Sequence, residues 1–281
     1  MEIVGAHIRD ALGRALILRG CSLEQVDPPN LESIWEQFAA QGMSAIQFLL
    51  PWERVEHEGP GVYDEAYLAA LRKFLLAAGL PVLIQPVVGD LQALEDPATG
   101  ERFLASLRHA YRRVKSCAAL AGWRLQDGNS LAAAFARRMG EANSRMMILP
   151  PEPPGEAPPF LPDLAFAEDG AAELPLAHGF LGTGGFPLEP LRPYPIATAG
   201  TPISLGWEEG AQRLRYRFQA EGAIEAATEF YAPRAYLGSA PHLEAKPDSL
   251  LCGYDPATQR IRIENAGYTG VAELAITKTG P

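Results

Sequence analysis

Cysteine, positive charge and long apolar runs are all scarce in this chain. Three cysteines stand among 281 residues, Cys21, Cys117 and Cys252, far apart and in no CxxC spacing. That excludes a zinc site or a disulfide framework built on them. Free buried thiols suit a reducing compartment, so cytoplasmic localisation is expected. Lys and Arg number 24 against 34 Asp and Glu, for a net charge of -10 and a pI near 5.1. Without a clustered basic face, nucleic acid is not an expected partner. No stretch reaches the ~18 apolar residues of a membrane span. The start MEIVGAHIRD also lacks the charged-then-apolar order of a targeting segment, so no transmembrane segment is expected. No ligand-spaced cluster implies a metal or an organic cofactor.

What is present is an ordinary globular composition, 47% hydrophobic and 21% charged, enough for one large or two moderate cores. Residues 14–22, 43–50, 80–88, 119–126 and 145–150 are apolar runs of strand length, with 174–182 as a sixth. Such near-continuous apolarity suits strands covered on both faces of a parallel sheet. Helical spacing occupies 30–41, 64–78, 100–115 and 129–143 between them. Asp64 is placed to cap the second helix and Gly79 to end it. Strand and helix alternating every ~30 residues predict βα units, in a barrel or an open sheet.

Residues 150–163, PPEPPGEAPPFLPD, are too proline-rich for a helix or central strand and predict a stiff loop. From LRPYPI onwards the pattern changes. Runs at 203–207, 212–219, 224–231, 249–254, 259–264 and 271–277 alternate apolar and polar residues between turn residues, which predicts an antiparallel β-sandwich of ~85 residues. The expected division is 1–191 for the α/β part and 192–281 for the β part. Arg192 and Tyr194 are expected at the seam between them.

Four stretches carry a resemblance. HIRDALGRALILRGCSL, then AIQFLLPWERVEHEGPGVYDEAYL, resembles the opening of glycoside hydrolase family 5, especially its endoglycoceramidase-like members. LRPYPIATAGTP and ATEFYAPRAYLG look like the small β domain that follows the barrel in that subfamily. The resemblance implies an α/β fold: a reduced (β/α) TIM-type barrel of about six to eight strands, with sugar bound at the C-terminal strand ends, then the sandwich.

The departures bear on activity. Gln47 stands where the family has arginine, Ser22 where it has asparagine, and Gln85-Pro86 where it has Asp-His. Gln126-Asp127-Gly128 replaces Asn-Glu-Pro, and a loose match puts Thr183 at the nucleophile. His178 matches a family histidine, but the chain is shorter by two βα units before Pro190. A retaining glycosidase needs two carboxyl groups ~5–5.5 Å apart and an inverting one ~6.5–9.5 Å. Asp127 with Glu152 is the substitute pair available as catalytic residues, Asp127 serving as acid/base.

Candidate sugar-binding residues are Trp52, Glu53, Glu56, Trp123, Gln126 and His178. Trp52 either stacks on a sugar face or plugs the barrel top. Glu53 and Glu56 either bind hydroxyls or are solvated. Trp123 and His178 either line the site or sit in the core. GTGG at 182–185 is no phosphate loop, lacking the following Lys and helix. The expected function is a catalytically degenerate, carbohydrate-binding or structural relative of these hydrolases. The alternatives are an active hydrolase on β-glucosides or glycolipids and a protein assembly scaffold. A carbohydrate or glycolipid ligand is the expected partner, and exposed sheet edges make a homodimer an open expectation.

Overall fold

The computed structural model describes residues 1–4, 7–24, 31–90, 92–124, 147–149, 171–174, 179–181, 193–208 and 210–279. The N-terminal strands are β1 (Glu2–Val4), β2 (His7–Arg9), β3 (Ala15–Leu16) and β4 (Arg19–Leu23). Helix α1 (Leu31–Ala40), β5 (Ala45–Pro51), the single turn α2 (Trp52–Val55), α3 (Glu65–Ala77), β6 (Val82–Val87), α4 (Pro97–Val114) and β7 (Leu120–Arg124) follow. Then come β8 (Met147–Leu149), β9 (Ala171–Leu174) and β10 (Gly179–Leu181). The fourth expected helix, 129–143, and the loop 150–163 lie outside the described residues.

A six-stranded sheet has the order β10-β4-β5-β6-β7-β8, and every pair in it is parallel. Strands β4 to β7 are covered on both faces, as their unbroken apolarity predicts. On the helix side, Ile46, Phe48, Leu50 and Ile84 join Phe38, Leu71, Phe74 and Leu107 in one buried cluster. On the other side a smaller cluster holds Ala45, Leu83 and Ala121 with Leu18 and Ile8. This is the barrel interior. The helices start as their caps dictate: Asp64 accepts from Tyr67 N at 2.8 Å and Asp96 from Thr99 N at 2.9 Å. No described helix is long and apolar enough to cross a membrane.

The remaining strands are β11 (Tyr194–Thr198), β12 (Gly200–Glu208), β13 (Arg213–Ala220), β14 (Thr228–Tyr231), β15 (His242–Lys246), β16 (Leu251–Asp255), β17 (Arg260–Glu264) and β18 (Gly270–Thr277). They form two antiparallel sheets, β1-β2-β3-β11-β14-β17-β16 and β15-β18-β13-β12-β9. Tyr216, Phe218, Phe230, Ile261, Ile263 and Leu274 fill the sandwich between them. The chain changes sheet at Ala199-Gly200. There the Thr228 hydroxyl accepts from Ala199 N at 2.9 Å, and Asn265 Nδ2 donates to Ala199 O at 2.9 Å. Gly200 has φ +144°, and a Cβ on it would lie 1.9 Å from Gln219 O. The AGTP and TEFY motifs are therefore two halves of one corner.

Strand pairing crosses the 191/192 division. The N-terminal strands β1 to β3 extend the sandwich sheet through β11, with Ala197 opposite Leu16 and Thr198 opposite Ala15. Strand β9 extends the other sheet through β12. The run 14–22 is thus two strands in two sheets, where sequence alone predicts one. A continuous apolar run carries no mark of where the chain turns from one sheet to the next.

The arginines of the opening motif fasten the two parts together. Arg9 Nη2 lies 2.8 Å from Glu221 Oε1. Arg14 Nη1 reaches Ala227 O at 2.9 Å and Glu229 Oε1 at 3.2 Å. Arg19 lies 4.6 Å over the Tyr194 ring. Tyr194 stands at the seam as expected, and its hydroxyl donates to Gly42 O at 2.7 Å. Its guanidinium neighbour is Arg19; Arg192 lies outside the described residues. Burial draws the Arg19 guanidinium down to about 10.

Candidate functional site

In parallel α/β sheets ligands gather at the carboxyl ends of the strands. Between the apolar inner layer and those ends, the interior carries polar side chains: Ser22 on β4, Gln47 on β5, Gln85 on β6 and Arg124 on β7. Ser22, Gln47 and Gln85 are buried. Ser22 sits directly opposite Gln47 in the sheet register. Arg124 Nη1 donates to Gln47 Oε1 at 2.7 Å, a charge-assisted bond of the stronger kind. A guanidinium does stand beside position 47, but from a strand two places along.

Arg124 reaches the interior because β7 is irregular. Val82 pairs with Leu120 and Leu83 with Gly122, so Ala121 is an extra residue in the ladder. A bulge of this kind shifts the alternation by one. Ala121 belongs to the inner cluster, while Trp123 joins the helix-facing cluster and is fully buried. Strict alternation from Ala121 gives the opposite placement. For Arg124 the available signal was a lone charge inside an apolar strand.

The rim is formed by the loop after β5. Trp52 opens α2, half-buried, with its ring edge-on to Phe103 at 5.5 Å and Arg102 5.4 Å above it. Its indole Nε1 lies 3.1 Å from both Glu56 Oε2 and Ser106 Oγ. Glu56 has only 2% of its side chain exposed and is the hub of this cluster. Its carboxylate also receives Arg102 Nη2 at 3.3 Å and the backbone N–H of Gly61. The Gly-Pro-Gly turn is thereby clasped onto α4. Buried carboxylates persist where donors converge on them.

Glu53 is exposed and accepts from Gly89 N at 3.1 Å, tying the loop after β5 to the loop after β6. His57 is exposed, 3.6 Å from Glu58. Tyr63 stacks on His109 with centroids 4.0 Å apart. The structure therefore brings Trp52, Glu53 and Glu56 together on one rim and sets Trp123 behind the sheet. Gln126, Asp127, Glu152, His178 and Thr183 lie outside the described residues. Among the described residues, no group of three His, Cys, Asp or Glu side chains could hold a metal ion.

Comparison with known proteins agrees with this architecture. Residues 192–276 match the glycoside hydrolase family 5 C-terminal domain. The chain aligns in structure with endo-glycoceramidase II from Rhodococcus sp. at a TM-score of 0.67 and 15% identity, covering 98% of this chain and 100% of that one. Cryptococcus neoformans sterylglucosidase 1 aligns at 0.67 and 11% identity, covering 98% and 97%. At these identities the likeness is one of fold.

In sequence, a glucosylceramidase of Rhizopus delemar is 47% identical over 104 residues, covering 25% of this chain and 15% of the relative. One from Cryptococcus neoformans var. grubii is 30% identical over 99 residues, covering 27% and 13%. The matches thus span about one seventh of those relatives' length. The chain joins a parallel barrel-type sheet to a β part that matches this family's C-terminal domain. Residues 192–276 thus carry the C-terminal domain of glycoside hydrolase family 5, and the chain shares its fold with endo-glycoceramidase II.

Proposed function

We propose that this chain binds the sugar end of a glycolipid on a hydrolase scaffold that no longer turns its ligand over. The observation that carries this reading is the Gln47–Arg124 hydrogen bond inside the sheet. Glycoside hydrolysis needs two free carboxyl groups facing the bond. The described inner positions near the strand ends hold amides, a hydroxyl and a guanidinium instead. The rim carboxylates are engaged, Glu53 by Gly89 N and Glu56 by its clasp. The shorter Asp127 and the Thr183 that stand where the family has its two glutamates support the same reading.

The ligand class follows from the relatives. Endo-glycoceramidase II has been solved with ganglioside GM3 and as a lactosyl-enzyme intermediate, and the sequence relatives are glucosylceramidases. In this proposal Glu53, Gln126 and His178 meet the sugar, while Trp52 and Glu56 hold the rim in place. Three unbridged cysteines support a cytoplasmic location.

The test is incubation of the full chain with glucosylceramide and aryl β-glucosides, together with direct measurement of glycolipid binding. Binding without turnover is expected, with Trp52→Ala weakening the binding. Turnover that disappears in Asp127→Ala and Glu152→Ala would overturn the proposal and establish an active hydrolase with Asp127 as acid/base. Neither binding nor turnover, with a dimeric mass in solution, would favour an assembly scaffold.

A further inference from the structure

A cleft of about 600 Å³ opens where α1 meets the seven-stranded sheet. It lies at the end where the parallel strands begin, since Ala39 and Ala40 in its wall precede β5. The proposed sugar rim stands at the other end of those strands and shares no residue with it. The opposite wall carries Glu229, Asp255, Arg260 and Arg262. Arg260 and Arg262 alternate with fully buried Ile261 and Ile263, so both guanidinium groups leave the same face of β17.

Neither arginine has an ion-pair partner among the described residues. Arg260 Nη1 is buried without a hydrogen-bond acceptor. Its guanidinium lies 5.6 Å from the centre of the Tyr231 ring, and that ring is anchored by a hydrogen bond from its hydroxyl to Ala40 O at 3.2 Å. The two acids of the cleft are taken up elsewhere. Glu229 Oε1 is 3.2 Å from Arg14 Nη1. The Asp255 carboxylate accepts from Ala257 N at 2.9 Å and from the Thr258 hydroxyl at 2.7 Å.

Unpaired guanidinium groups in a concave site stand out in a chain of net charge -10. A buried donor without an acceptor is costly, and a planar fork of N–H groups matches the oxygens of a phosphate. We infer that this cleft is a phosphate-binding site for a phosphomonoester, held by Arg262 and by Arg260, whose guanidinium rests on the Tyr231 ring. The phosphomonoester is either soluble or the headgroup of a lipid.

Two probes on the full chain separate the sources: inorganic phosphate by calorimetry, and sedimentation with phosphatidylcholine vesicles with or without phosphatidic acid. Phosphate is expected to bind. Arg262→Gln should weaken it about tenfold or more, the effect of one charge-assisted hydrogen bond, and Arg260→Gln at least as much. Arg217→Gln, on an exposed position of β13, should change nothing. Retention on phosphatidic acid that Arg262→Gln abolishes assigns the lipid headgroup. Phosphate binding without retention assigns a soluble ligand. No binding of either probe, or binding that Arg262→Gln leaves intact, overturns the inference. Arg262 is exposed, so its variant keeps the test valid even if Arg260→Gln fails to fold.

Discussion

Replacing Gly42 by alanine tests how the barrel is seated on the β domain. Gly42 follows α1 with φ +83°, and a Cβ there would lie 2.3 Å from the Tyr231 ring. Its carbonyl also accepts from the Tyr194 hydroxyl at 2.7 Å, so the backbone cannot swing away without breaking that bond. The left-handed conformation costs an alanine about 1–2 kcal/mol. Overpacking against a buried ring adds about 1–3 kcal/mol. Gly42→Ala should therefore destabilise the fold by about 2–5 kcal/mol, read as a lower urea midpoint in tryptophan fluorescence and circular dichroism. In a Tyr231→Ala background the clash is gone, and the same change should cost only the backbone share, about 1–2 kcal/mol. The difference between the two backgrounds is the coupling measured by a double-mutant cycle. Equal costs in both, or a cost below about 1 kcal/mol in the wild type, would refute the reasoning.

Two further predictions concern the rim and the thiols. Glu56→Gln replaces the carboxylate that gathers Trp52, Arg102, Ser106 and Gly61, setting an amide N–H₂ against donors; a loss of about 2 kcal/mol or more is expected in urea unfolding, while an equal loss from Glu53→Gln would contradict the clasp. Burial pushes the Cys21 thiol up to about 12 and raises Cys117 and Cys252 as well. Cys21 therefore holds almost no thiolate near pH 8. An aromatic disulfide reagent at that pH should label Cys252, the one that is not fully buried, and spare Cys21 until the protein unfolds; early labelling of Cys21 in native protein would contradict its burial.

The βα alternation, the Asp64 cap and the sandwich strands at 203–207, 212–219, 259–264 and 271–277 were legible because each rests on local spacing. Period-2 and period-3.6 patterns report which face of an element is covered. Strands β11 and β15 were less legible. Pro195 interrupts the first, and the second, HLEAK, has no fully buried residue. The rim stretch PWERVEHEGPGVYDEAYL looked like ligand-facing side chains by composition. In the fold, Trp52 and Glu56 turn towards Ser106 and Arg102 on α4. That contact spans 46 to 54 residues of sequence, beyond the reach of any local pattern.

The sequence by itself determined the family resemblance, the alternation of strands and helices, and the residues that depart from the hydrolase pattern at Gln47, Gln85, Gln126 and Thr183. These follow from motif spacing and burial periodicity, which are properties of neighbouring residues. Tertiary structure alone decided which sheet each half of 14–22 joins, which side of β7 carries Trp123, and that Arg124 reaches Gln47. It also decided that Arg260 and Arg262 face a cleft without an ion-pair partner among the described residues. A bulge, a sheet change and a pairing between distant strands leave no periodic trace in the chain. They are set by where the cores close.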